Sequence, residues 1–486
     1  MNKFINGLID ATNIGYTENG AIKRNTTKNN LYDMFGIGGA YRSRSESDII
    51  LLFKKAFEED ESLALKCLFY LRDARGGQGE RRFFRVCMRW LATEHPEAAL
   101  RNMGYCSEYG RWDDLFVFFD TKLEDEALHF IRKQLELDVQ SKTPSLLAKW
   151  LKSENTSSQE SRRLAKRTRE YLGMTPRQYR KTLSILRERI KVLERLMSAN
   201  RWDEIEFDKI PSKAGLIYKN AFARRDMIKA KYETFAKDKT TKVNAKTLYP
   251  YEVVEQALCV RYDIDRQMVN KYWDNLADYF NNKPFNGLAV VDTSASMRGT
   301  PLNVAISLGM YCAEHAKGPF AGHYVAFSSR PRLIATEGVD FCDKVHRIYQ
   351  ANLCENTNLK ATFDMLLRTA ITSKCKVEDM PQTLIVISDM EIDGHSTGYG
   401  WGQRTSIPKV SEMETIRNEW TRYGYQMPNL IYWNVDARQD TFLDLGPGVT
   451  YVSGFSPVIF EQVLTGKTGI DLMLDKLLSQ RYEVIK

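Results

Sequence analysis

The sequence predicts two fold classes in one chain: an α-helical repeat part over residues 1–284, and a doubly wound α/β domain over residues 285–486. Three observations lead there. From about residue 45 to 281, apolar residues recur three or four apart, with no competing strand alternation. Near Pro284 the pattern changes, and apolar runs of strand length alternate with helical segments. Charge changes at the same place. Residues 1–284 hold 51 Lys and Arg against 40 Asp and Glu, whereas residues 285–486 hold 19 against 22, so the basic excess of this +8 chain lies in the first part.

Within that part, short helices are expected at 49–58, 63–72, 80–91 and 96–103, separated by polar or glycine-containing connectors. A longer one is expected over 176–198. There Tyr179, Leu183, Leu186, Ile190, Leu193 and Leu196 make one apolar face, and Arg177, Arg180, Lys181, Arg187, Arg189 and Lys191 occupy the others. Paired helices without strands suggest stacked hairpins of the solenoid, HEAT-like sort, although no clean period repeats. Asn281-Asn282-Lys283-Pro284 reads as the boundary. Beyond it, strands are expected at 287–291, 324–327, 383–388, 429–435 and 449–452, with helices at 300–315, 359–371, 412–423 and 472–479. This is the alternation of a Rossmann-like, mostly parallel sheet.

Composition narrows the function classes. Hydrophobic residues at 43% and aromatics at 11% are those of a folded chain. Neither a secretory signal nor an apolar run of about 20 residues is present, so a soluble cytoplasmic protein without membrane contact is expected. Eight cysteines without a Cys-x-x-Cys pair read as free thiols in a reducing compartment. The six histidines (His95, His129, His315, His323, His346, His395) are dispersed. Because no nucleophile, base and orienter assemble, the sequence is read as that of a non-enzyme.

In a doubly wound sheet, ligands gather at the carboxyl ends of the strands. The run 288–291 leads straight into Asp292-Thr293-Ser294-Ala295-Ser296. Oxygen-bearing side chains on alternate residues of a tight loop can face one point and suit a hard ion such as magnesium. Alone, this motif is also what a helix-capping turn looks like. Two further loops add to it: Asn356-Thr357-Asn358 before a helix, and the strand 383–388 ending in Asp389. In order and placement the three loops resemble the metal-ion-dependent adhesion site of von Willebrand factor A domains. The resemblance implies that Ser294, Ser296 and Thr357 coordinate Mg2+ or another divalent cation directly. It implies that Asp292 and Asp389 do so directly or through water, and that one position stays open for an acidic side chain of a protein partner. Glu391 and Asp393 are additional carboxylates, read as solvated loop charges.

A basic helical part joined to an A domain resembles the Ro (TROVE) ribonucleoproteins. The segments carrying this are Tyr70 to Arg81 with its Arg75-Gly76-Gly77-Gln78-Gly79 turn, Tyr109-Gly110-Arg111-Trp112-Asp113-Asp114-Leu115, Ala148-Lys149-Trp150-Leu151, Gln178-Tyr179-Arg180-Lys181, Ile210-Pro211-Ser212-Lys213-Ala214 and Ala221 to Asp226. The resemblance implies a ring or horseshoe that binds small structured or single-stranded RNA. Charge points the same way: residues 151–250 carry 25 Lys and Arg against 12 Asp and Glu, a net of +13. The candidate RNA contacts are Arg75, Arg81, Arg82, Lys149, Lys152, Arg177, Arg180, Lys181, Arg224 and Arg225. The alternative function is a protein-interaction scaffold that uses the basic helices for subunit contacts and the metal site for a partner.

Overall fold

The computed structural model describes residues 12–327, 330–351, 357–393 and 412–486. Helices Glu46–Glu59, Glu61–Arg72, Arg81–Glu94 and Pro96–Asn102 occupy the four early segments, each starting where a cap or proline allows. Ser45 and Asp60 accept a backbone N–H three residues on, and Glu80 accepts one from Arg82, which sets the start of the third helix at Arg81. Further helices include Glu124–Gln140, Gln159–Tyr171, Ser212–Arg224, Asp226–Lys237, Pro250–Leu258 and Asp263–Asp274. This first region is therefore helix-rich, as expected.

The long helix expected over 176–198 is two helices, Pro176–Arg189 and Leu193–Ser198. Lys191 is left-handed at φ 47°, and Val192 N–H bonds back to the Arg187 carbonyl at 3.2 Å, closing the first helix. The β-branched Ile190 and Val192 are weak helix formers. Arg187, expected on a solvent face, instead points inward, donating to the carbonyls of Ala148 and Leu151 at 2.8 and 2.9 Å.

The second region holds a six-stranded mixed sheet. Its strands are β3 (Gly287–Asp292), β4 (His323–Phe327), β5 (Arg332–Ala335), β6 (Thr383–Ser388), β7 (Asn429–Asn434) and β8 (Val449–Ser453), in the order β5-β4-β3-β6-β7-β8. All neighbours are parallel except β4 and β5. Every residue of β3 is buried, as a parallel strand covered on both faces requires. Helices Thr300–His315, Phe341–Ala351, Leu359–Thr372 and Glu412–Arg422 lie between strands in sequence. The terminal helix runs Gly469–Leu477, three residues earlier than expected. The edge strand β5, half exposed and four residues long, was not anticipated.

Also unanticipated was an antiparallel hairpin of β1 (Ile14–Tyr16) and β2 (Ile22–Arg24), which joins the C-terminal domain. Arg24 and Phe442 exchange both backbone hydrogen bonds, at 2.8 and 3.0 Å. The next helix, Asn30–Ile37, packs on β8 and on Gly469–Leu477. At the other end of the helical region, Pro250–Leu258 packs on Thr300–His315 and Phe341–Ala351. Both ends of that region thus rest on the sheet domain.

The first contact depends on close backbone approach. A Cβ on Gly39 would sit 2.6 Å from the Ser453 carbonyl oxygen, and Gly39 N–H donates to Ser453 Oγ at 2.9 Å. Gly39→Ala is expected to destabilise the chain by about 1–3 kcal/mol through this overpacking. A denaturant midpoint equal to wild type would contradict that packing.

Candidate metal centre and basic surface

Val291 pairs with Ile387 across β3 and β6, so the strand ends Asp292 and Ser388 lie side by side where the strand order switches direction. Ser388 Oγ donates to Asp292 Oδ2 at 2.5 Å, and Ser294 N–H donates to Oδ1 at 2.9 Å. Ser294 Oγ and Ser296 Oγ are 2.9 Å apart. Asp292, Ser294, Thr357 and Asp389 are buried, and Ser296 is half-buried. The next loop turns through Met390, a buried non-glycine residue at φ 65° whose N–H bonds Ser388 Oγ at 2.9 Å. Such a conformation costs on the order of 1–3 kcal/mol and persists only where its surroundings impose it.

Burial, and then the nearby charge of Asp389, push the Asp292 carboxyl up to about 7. Two buried carboxylates that repel one another, Asp292 at the end of β3 and Asp389 just after β6, beside two serine hydroxyls in contact, form a hard-oxygen donor set suited to a divalent cation. Thr357 joins by contacting the loop after β6: its carbonyl accepts the Asp393 N–H at 2.9 Å, and its Oγ1 lies 3.4 Å from the Glu391 carbonyl. Asn356 lies outside the described residues. Among the described residues, no three His, Cys, Asp or Glu side chains gather as a metal-binding group, so any cation here relies on the hydroxyls.

Glu391 is not solvated, and Asp393 is only partly so. Glu391 is 1% exposed, and its Oε2 accepts the Glu18 N–H of the β1–β2 turn at 2.6 Å. Burial raises its carboxyl, partly offset by that hydrogen bond and by Lys23. Asp393 is half-buried and bridges to Gly20 of the same turn. Asn19 Nδ2 donates to the Glu391 carbonyl at 2.7 Å and lies 3.4 Å from Thr357 Oγ1. The hairpin tip therefore braces the loop that follows β6. On the other side, Arg438 donates to Asp389 Oδ2 and pairs with Glu18 at 3.2 Å. Sequence reasoning missed Ser388, Arg438, Glu18 and Asn19. A hydroxyl before Asp389 was readable as a candidate, but residues this remote in sequence carry no local signal.

The candidate RNA contacts divide into groups. Arg177, Arg180 and Lys181 are exposed on Pro176–Arg189 and have no hydrogen-bond or ion-pair partner among the described residues; Arg224 is likewise exposed and unpaired. Arg225 lies over Trp202 at 4.8 Å, Lys149 over Trp150 at 5.7 Å and Lys152 over Phe116 at 5.5 Å, leaving cations on aromatic faces. Arg75 is exposed but donates to the Glu108 carbonyl at 2.7 Å. Arg81 is exposed, its pKa lowered by partial burial and by Arg111 and Arg85. Arg82 departs from the expectation: its guanidinium is spent on the carbonyls of Arg42 and Arg44.

Two motifs singled out above are structural joints. The glycine turn closes on Tyr70, whose hydroxyl accepts from Gln78 Nε2 at 2.6 Å, and Tyr249 Oη donates to the Gln78 carbonyl at 3.0 Å. Asp114, fully buried, takes Arg72 at 2.7 Å, Arg85 at 2.6 Å and the Arg111 N–H at 2.9 Å. The seven described cysteines are free; five are buried, Cys375 is half-buried and Cys259 exposed, and Cys354 lies outside the described residues, as does His395.

Fold and site together define a helix-rich region clasped at both ends by an α/β domain with an oxygen-rich loop cluster at the carboxyl ends of its two central strands. The chain matches the family described as domain of unknown function DUF2828 over residues 17–144 and 137–283, and belongs to it. Residues 286–480 match a second family, domain of unknown function DUF7788. The chain is also similar to Uncharacterized protein L728 of Acanthamoeba polyphaga mimivirus, at 32% identity over 506 residues, covering 94% of this chain and 85% of that protein. No helix among the described residues is long and apolar enough to cross a membrane.

Proposed function

We propose that this chain is a non-catalytic, Ro-like RNA-binding protein, with HEAT-like helices carrying the RNA and a von Willebrand A-type domain closing the molecule. The observation that carries the reading is the trio Arg177, Arg180 and Lys181, exposed and without an ion-pair partner among the described residues, on one helix within a segment of net charge +13. Side chains committed to internal ion pairs cannot neutralise phosphate, whereas these can, and they would supply affinity that is salt-dependent and largely indifferent to sequence. Arg225, exposed where it lies over Trp202, adds a guanidinium plane on which an unpaired base can stack.

In the C-terminal domain, Asp292, Ser294, Ser296, Thr357 and Asp389 would hold Mg2+ or a similar cation. When bound, the cation would offer an open position to an acidic side chain of a protein partner. The chain's own residues orient the donors: Ser388 fixes Asp292, and the hairpin tip fixes the Asp389–Asp393 loop.

A second reading, a protein-interaction scaffold, is favoured by exposed apolar side chains in the same segment, Ile217 at 70% and Met227 at 60%. Absorbance separates the two. Protein purified at low salt should carry nucleic acid, seen as a raised 260/280 ratio that ribonuclease removes. A protein-only ratio before ribonuclease would favour the scaffold.

A further inference from the structure

Asp389 is committed on both oxygens. Oδ1 accepts the Glu391 N–H at 3.2 Å, and Oδ2 accepts from the Arg438 guanidinium. Arg438 is thus a cation at the very carboxylate that the proposed divalent ion would use, and like charges a few ångströms apart in a buried site repel strongly. Its backbone is fixed. Arg44 donates to the Arg438 carbonyl at 2.8 Å, and Lys23 holds Gln439 and the Asp440 carbonyl at 2.8 and 2.9 Å. The side chain is less constrained: it is 32% exposed, and its other terminal nitrogen already touches Glu18 Oε2 at 3.2 Å. Glu18 is itself anchored, because its N–H is held by Glu391.

Resting on the metal reading above, we infer that Arg438 is a built-in competitor for the cation at Asp389, and that Glu18 is the seat to which its guanidinium retires. Cation affinity is then set by how the guanidinium divides between Asp389 and Glu18. The hairpin takes part in the metal centre through Glu18, although it lies some 370 residues away in sequence. Removing Arg438 frees Asp389. Removing the Glu18 charge takes away that contact and shifts the guanidinium towards Asp389.

The test is calorimetric titration of Mn2+ into the full chain as wild type, Arg438→Gln, Glu18→Gln and the double variant. Arg438→Gln should bind about tenfold more tightly, and Glu18→Gln more weakly, within the usual range of site-to-site coupling. In the Arg438→Gln background the Glu18→Gln effect should largely vanish, because the two residues act through one contact. Gain of affinity is a result that structural damage does not produce. Arg438→Lys, which keeps the charge but loses the fork, should fall between wild type and Arg438→Gln. Binding by wild type with no gain in either Arg438 variant overturns this inference alone. Absence of binding by every protein overturns it together with the metal reading.

Discussion

Asp292→Ala and Asp389→Ala are each expected to lower divalent-cation affinity by about 100-fold or more, with the fold retained. Residues that only orient metal ligands cost 10–100-fold when removed, so loss of a carboxylate donor itself should cost at least the upper end of that range. The same site gives a pH signature. Burial and the neighbouring Asp389 push the Asp292 carboxyl from its ordinary 3.8 up to about 7. An acid raised in this way binds its proton more tightly when folded. The stability that proton contributes is present below about pH 4 and lost as pH rises towards 7. In chelator, the wild-type melting temperature should therefore fall between pH 5 and pH 8, and Mg2+ should restore more of it at pH 8. Asp292→Asn, lacking the charge, should melt higher than wild type in chelator at pH 8 and gain nothing from Mg2+. Equal cation affinity in wild type and both alanine variants would remove the metal assignment.

Reversing Arg177, Arg180 and Lys181 to Glu should weaken RNA binding by about 100-fold near 0.1 M salt. Each phosphate contact on a single strand contributes a slope of about −0.7 in log affinity against log salt, so three contacts account for about two units of slope and two decades of affinity. The loss should be similar across unrelated RNA sequences, because phosphate contacts carry little sequence information. Fluorescence anisotropy on several labelled RNAs provides the check, and a loss confined to one sequence would mean base readout instead. Arg82→Glu is a poor probe: it breaks contacts to the Arg42 and Arg44 carbonyls.

Much of this was legible because it is local. The run from Gly287 to Asp292 is apolar and ends in a carboxylate, and parallel pairing with β6 follows from the second such run at Thr383–Ser388. Three loops with hydroxyls and acids could be picked out from strand ends alone. The hairpin was not legible: its strands are three residues each, too short to alternate, and they are fixed by pairing with Phe442 and Glu391 over 370 residues away. The same distance hid the burial of Glu391, whose partner is a backbone N–H, and the engagement of Arg438. Periodicity ran straight through Lys191 because the apolar spacing survives the turn; only the capping bond from Val192 to Arg187 reveals the break. The Arg-Gly-Gly and Trp-Asp-Asp motifs were visible as motifs, but their use as joints between helices rests on Tyr249, Arg72 and Arg85, contacts that spacing does not encode.

The central claim, RNA binding through the basic helical segment, is tested most directly by filter binding of the wild-type chain to a structured RNA with a single-stranded 3′ end across a salt series. Log affinity should fall linearly with log salt, with a slope of about −2 or steeper. No retention of RNA at the lowest salt would contradict the account.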